Sequence, residues 1–128
     1  MAAQDLRAVA IETYDLISRG DVAKLAELMP GDDSLPVIIG TGPDEWFEGR
    51  TAVLDALEQQ ARDYPNLRFE PGDLRCEENG DSGWVADRAS LVMPDGSRID
   101  VRQTMVFQRE AGTWRVVQSH LSIGVADE

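Results

Sequence analysis

The spacing of apolar residues changes once along this chain, at Pro65, and that change narrows the folds open to it. Before Pro65 the apolar positions recur with the 3.6-residue period of helices; after it they alternate with the period of two that strands require. Leu6, Val9, Ala10, Thr13 and Ile17 form one helical stripe, which Gly20 is placed to end. Asp21 then caps a shorter helix that buries Val22, Leu25, Ala26 and Met29 before Pro30-Gly31 stops it. Residues 34–40 hold the β-branched run Val37-Ile38-Ile39, and Pro36, which has no ladder N–H, marks it as an edge strand. Residues 41–47 read as a loop, and residues 50–64 as a third helix with Val53, Leu57, Ala61 and Tyr64 on one side.

Past Pro65, the turn signals Asn79-Gly80, Pro94-Asp95-Gly96 and Ala111-Gly112 divide the chain into four long strands of a meander. In the first of these the apolar parity is odd at Leu67 and Phe69 but even at Leu74 and Cys76. One extra residue must therefore be absorbed near Pro71-Gly72, as a β-bulge that bends the sheet. Helices first and strands afterwards predict an α+β fold, with the N-terminal helices packed on one face of a strongly bent, mostly antiparallel sheet. A chain of 128 residues fits one domain, spanning residues 1–128.

Hairpin register decides which polar side chains share a face. The Pro94-Asp95-Gly96 turn suits a three-residue loop that pairs Met93 with Ser97. The same logic at the next turn pairs Arg109 with Thr113. Counting back, Asp87 faces Gln103 and Gln103 faces Ser119; Arg88 faces Arg102, which faces His120. The Asp87 side also carries Val85, Leu91, Ile99, Val101, Met105, Phe107, Val117, Leu121 and Ile123, so it is the side the helices cover. Trp84, Asp100, Arg102, Thr104, Val106, Gln118 and His120 fall on the other.

Asp87 is then a carboxylate in an apolar concavity, the setting in which general acid–base catalysts work, with Gln103 and Ser119 beside it to orient it or hold a carbonyl oxygen. A structural ion pair or hydrogen bond is its plainer role. His120, the only imidazole, is the alternative proton carrier, though it falls on the polar face. Tyr14 beside the first helical stripe and Trp46 on the loop after the edge strand are candidates to contact a ligand, with Met105 and Leu121 as apolar wall.

Charge removes other classes of function. Twelve Lys and Arg against 24 Asp and Glu leave a formal net charge of −12, which repels phosphate backbones and anionic lipid, so neither nucleic acid nor membrane is expected as a partner. Cys76 is alone, which excludes an intrachain disulfide, and one Cys with one His cannot build a thiol- or imidazole-rich metal site. No metal and no cofactor is expected. Residues 1–7 show no basic segment followed by an apolar run, and the expected location is the cytoplasm.

The last third, with Thr104, Gly112, Trp114, Arg115, His120 and Ser122, resembles the C-terminal hairpin of SnoaL-like domains in the nuclear transport factor 2-like superfamily. The segment Gly40-Thr41-Gly42-Pro43-Asp44-Glu45-Trp46 and Gly83-Trp84 resemble bacterial members too. The resemblance implies a cone with an internal pocket and a dimer built on the sheet. It does not imply one activity, since relatives include cyclases and isomerases that move a proton with a pocket carboxylate, epoxide hydrolases, and the association domain of calcium/calmodulin-dependent kinase. No isomerase or hydrolase signature maps onto this chain. The expectation is a homodimeric pocket protein for a small apolar metabolite which, as an enzyme, would be a cofactor-free isomerase, cyclase or hydrolase using Asp87. The competing reading is a non-catalytic oligomerisation module whose interface is the face of Arg88, Arg102, Thr104 and His120.

Overall fold

A computed structural model describes residues 5–127; residues 1–4, the start of the stretch expected to carry no leader, lie outside it. Helix α1 (Leu6–Arg19) starts where the Asp5 side chain accepts the Arg7 N–H. It ends where Gly20 turns left-handed at φ 65°, the conformation that a glycine adopts without steric cost. Its stripe of Leu6, Val9, Ala10 and Thr13 is buried, together with Tyr14 and Leu16. Asp21 caps α2 (Val22–Glu27) by accepting the Lys24 N–H at 3.2 Å.

Strand β1 (Val37–Ile39) is not at the sheet edge, contrary to the reading of Pro36. It lies between β2 (Trp46–Glu48), its antiparallel neighbour, and β7 (Thr113–Ser122), to which it runs parallel. Pro36 precedes the strand, so its missing N–H costs no ladder bond, and its carbonyl accepts the Gly49 N–H at 2.8 Å. The end of the expected loop is likewise a strand, because the Gly40 N–H donates to the Glu45 carbonyl at 2.8 Å and closes a hairpin onto Trp46. Helix α3 (Arg50–Asp63) follows, with Val53 fully buried.

The remaining strands are β3 (Arg68–Glu70), β4 (Arg75–Asn79), β5 (Ser82–Val92) and β6 (Arg98–Glu110). The sheet order is β2-β1-β7-β6-β5-β3, with β4 also on β5. Phe69 pairs with Leu91 but Cys76 with Val85, so seven residues on one strand span six on the other, which is the extra residue expected near Pro71-Gly72. Gly72 fits there because it has no side chain: a Cβ would sit 1.8 Å from the Arg88 carbonyl oxygen. The Met93–Ser97 turn is the expected three-residue loop. Met93 N–H donates to Ser97 O at 2.8 Å, and Asp87 opposes Gln103 and Arg88 opposes Arg102, as counted.

The next turn differs. Ala111 and Gly112 both have positive φ, 49° and 80°, and make a two-residue loop that pairs Glu110 with Thr113. A bulge between the Phe107–Val116 and Val106–Gln118 pairs then adds a second residue of offset. Gln103 therefore opposes Leu121 rather than Ser119, and Arg102 opposes Ser122 rather than His120, while Met105 meets Ser119 and Thr104 meets His120. Two shifts of one residue restore the parity, so residues 118–122 keep their expected faces and only the start of β7 inverts. That inversion turns Trp114 inward to complete burial.

The core joins Leu6, Val9, Ala10 and Tyr14 of α1 to Phe69, Val85, Val101, Met105, Phe107 and Trp114 of the sheet. Helical cover stops short of the far end of that face, where Ile99 is 37% and Ile123 45% exposed. No helix among the described residues is long and apolar enough to cross a membrane.

Candidate functional site

Asp87 sits in the middle of β5, opposite the gap between β3 and β4, and is buried. The Tyr14 hydroxyl donates to its Oδ2 at 2.9 Å, and the Gly72 N–H donates to Oδ1 and Oδ2 at 3.1 and 3.2 Å. The bulge thus brings a backbone amide onto the carboxylate. Tyr14 is fixed from its other side by Phe69, whose ring stacks on it at 4.3 Å between centroids. Burial above all, then the charge of Asp87 and the hydrogen bond to it, push the Tyr14 phenol well above its ordinary value of 10.0. Tyr14 therefore remains a protonated donor.

On the neighbouring strand, buried Gln103 donates from Nε2 to Ser119 Oγ at 2.7 Å and to the Thr104 carbonyl at 3.1 Å. Ser119 in turn lines an apolar cavity of about 50 Å³ between the three helices and the sheet. Its walls include Thr13, Leu25, Met29, Val53, Met105 and Val116. The Thr13 hydroxyl is committed to the Val9 carbonyl at 2.8 Å, as a hydroxyl within a helix often is, whereas Ser119 Oγ accepts from Gln103 and has no acceptor of its own among the described residues.

Of the residues expected to meet a ligand, Met105 and Ser119 line this cavity, and Tyr14, Gln103, Leu121 and Trp46 do not. Trp46 lies on β2 rather than on a loop and is 60% exposed, with its indole N–H on Glu48. Neither Asp87 nor His120 lines it. The Asp87 carboxylate is occupied by its two donors, and His120 is exposed on the outer face of the sheet, across from Thr104 and beside Ile39. Arg88 and Arg102 are exposed on that face as well. The sequence reading missed that Thr13, Leu25, Met29 and Val53 share a cavity. Leu25, Met29 and Val53 were legible as apolar stripes, but the meeting of three stripes over Ser119 depends on how the helices dock.

The SnoaL-like domain family model matches residues 6–126. The chain belongs to the SnoaL-like domain family. Among curated proteins, none matches. Solved structures resemble this SnoaL-like domain in fold. An NTF2-like protein of unknown function from Pseudomonas putida KT2440 superimposes with a TM-score of 0.84 at 17% identity, over 96% of this chain and 87% of that one. A proposed calcium/calmodulin-dependent protein kinase type II association domain from Thiobacillus denitrificans gives 0.83 at 20% identity, over 98% and 99%. A proposed dehydratase of the NTF2-like family from Streptomyces avermitilis gives 0.75 at 20% identity, over 94% and 99%. At these identities the likeness establishes the α+β cone and no activity.

Proposed function

We propose that this SnoaL-like domain binds a small, uncharged, mostly apolar molecule bearing one hydrogen-bond acceptor, in the cavity beneath its helices. The observation that carries the reading is Ser119: a hydroxyl anchored by a buried glutamine, with no acceptor for its proton among the described residues, in an otherwise apolar chamber. About 50 Å³ admits only a few non-hydrogen atoms as it stands, and the unbranched Met29 and Met105 are the walls that yield to a larger guest. Binding is favoured over proton transfer by Asp87 or His120, because neither side chain reaches the chamber. The half-buried free thiol of Cys76 suits a reducing compartment such as the cytoplasm.

Native mass spectrometry of freshly purified protein tests this, with a discrete extra mass, lost on activation, as the expected result. Ser119→Ala should then weaken the captured molecule ~3–10-fold, one hydrogen bond's worth. Equal affinity in the variant would remove Ser119 as the anchor, and a protein that neither carries nor takes up a small ketone or ester would end the reading.

A second reading, homodimerisation through the outer face of the sheet, is favoured by the exposure there of Trp46, Trp84 and Val106, at 60%, 42% and 39%. Thr104 and His120 lie among them, and a structural relative carries the name of an association domain. Val106→Glu is expected to convert a dimer to a monomer in sedimentation equilibrium. A wild-type protein that is monomeric at high micromolar concentration would exclude the interface.

A further inference from the structure

We propose a second binding site, on the outer face of the sheet, for a doubly charged oxyanion such as a phosphate monoester or a dicarboxylate. Ala86 there forms the floor of an open pocket of about 240 Å³ whose surroundings are Arg75, Arg88, Arg102, Thr104 and Asp73. Register explains the clustering. Arg75 and Thr104 are the cross-strand partners of Ala86 on its two sides, and Arg88, two residues further along the strand, faces Arg102 directly. Three guanidinium side chains thus surround the smallest side chain of the patch. Asp87 and Gln103 lie beneath, with their side chains engaged on the other face.

Like charges placed directly opposite on neighbouring strands repel. This chain has ample means to neutralise them, with 24 acidic residues and a net charge of −12. On the rest of the sheet it does so: Arg68, Arg98, Arg109 and Arg115 each pair with a carboxylate, while of the helical cations only Arg19 does among the described residues. Among the described residues, Arg75, Arg88 and Arg102 have no such partner. Asp73 borders the pocket, and Glu77 and Asp100 lie two residues along from Arg75 and Arg102, yet none of them forms an ion pair with the three. Arg102 is held in place by its Nε bond to Ser122 Oγ at 3.1 Å, and its two terminal nitrogens have no partner among the described residues. Paired N–H donors of this kind match two oxygens of a phosphoryl or carboxylate group, and a second and third guanidinium supply the charge a dianion needs. The surrounding negative potential discourages diffuse attraction of anions, so saturable binding would have to come from this cluster.

Isothermal titration of the intact chain at low ionic strength, with inorganic phosphate and with succinate in separate runs, tests the site. The expected result is saturable binding of one equivalent per chain for at least one of the two. It should weaken at least ~tenfold in Arg88→Gln/Arg102→Gln, which removes two of the charge-assisted contacts, and stay unchanged in the remote control Arg19→Gln. The preferred anion tells a phosphoryl group from paired carboxylates. Absence of saturable binding by either anion overturns the proposal, as does equal binding by the double variant. A double variant that loses self-association, from a wild-type protein indifferent to both anions, would instead assign the arginines to a contact between copies. Because cavity occupancy and the Val106→Glu result are read separately, failure here leaves the small-molecule and dimer readings as they stand.

Discussion

Truncating Trp114 to alanine is expected to destabilise the domain by ~3–5 kcal/mol, the range for deleting a fully buried large aromatic. The ring is 0% exposed and belongs to the core cluster with Leu6, Val85 and Phe107. It is also part of an electrostatic layer. The Arg109 guanidinium lies 4.1 Å from the ring centroid and reaches Glu78 at 3.0 Å, tying β6 across β5 to β4. Loss of the ring leaves a half-buried guanidinium over a void in addition to the hydrophobic loss. Chemical denaturation should show a lower midpoint at an unchanged slope. Trp114→Phe, which keeps an aromatic face under Arg109, should recover more than half of the loss. A drop below ~1 kcal/mol for the alanine variant would mean that the hairpin relaxes around the vacancy, and that the inverted start of β7 is held by its turn rather than by its tryptophan.

That inversion shows where reading the sequence succeeds and where it stops. Local chemistry located Gly20, Asp21 and the Met93–Ser97 turn, because each answers a backbone requirement that only a few residues meet. The parity change between Phe69 and Cys76 exposed a bulge because apolar residues on both sides must face the same core. Between Phe107 and Gln118 no such marker exists. Val116 and Val117 are both apolar, so either can face inward, and the bulge there is set by a tertiary contact: Val116 N–H donates to the Leu28 carbonyl at 2.7 Å. The candidate site divides along the same line. Asp87 opposite Gln103 followed from one correctly read turn. The Gly72 amide on Asp87 comes with the bulge that parity revealed, whereas the Tyr14 donor and the cavity over Ser119 come from the docking of α1, α2 and α3, which strand periodicity does not encode.

Asp87→Ala should cost ~2–6 kcal/mol, because it leaves two buried donors, the Tyr14 hydroxyl and the Gly72 amide, without their acceptor at ~1–3 kcal/mol each. Asp87→Asn keeps one acceptor oxygen but brings an amide donor toward the same two donors, so it should fall between wild type and alanine. Tyr14→Phe removes one donor with the carboxylate still bonded to Gly72, and a cycle of the two substitutions should show coupling of ~1–3 kcal/mol. The sign of the pH dependence follows from Tyr14. Its phenol is held above the ordinary 10.0 in the folded state, so its contribution is complete below that pH and is lost only as pH rises through the raised folded value. The Tyr14→Phe difference should accordingly be undiminished at pH 9. The opposite outcome bears on function: if Asp87→Ala were neutral or stabilising, the carboxylate would be held at a cost to the fold, as catalytic groups often are. Proton transfer by Asp87, with Tyr14 moving aside to admit substrate, would then replace passive binding as the reading of this site.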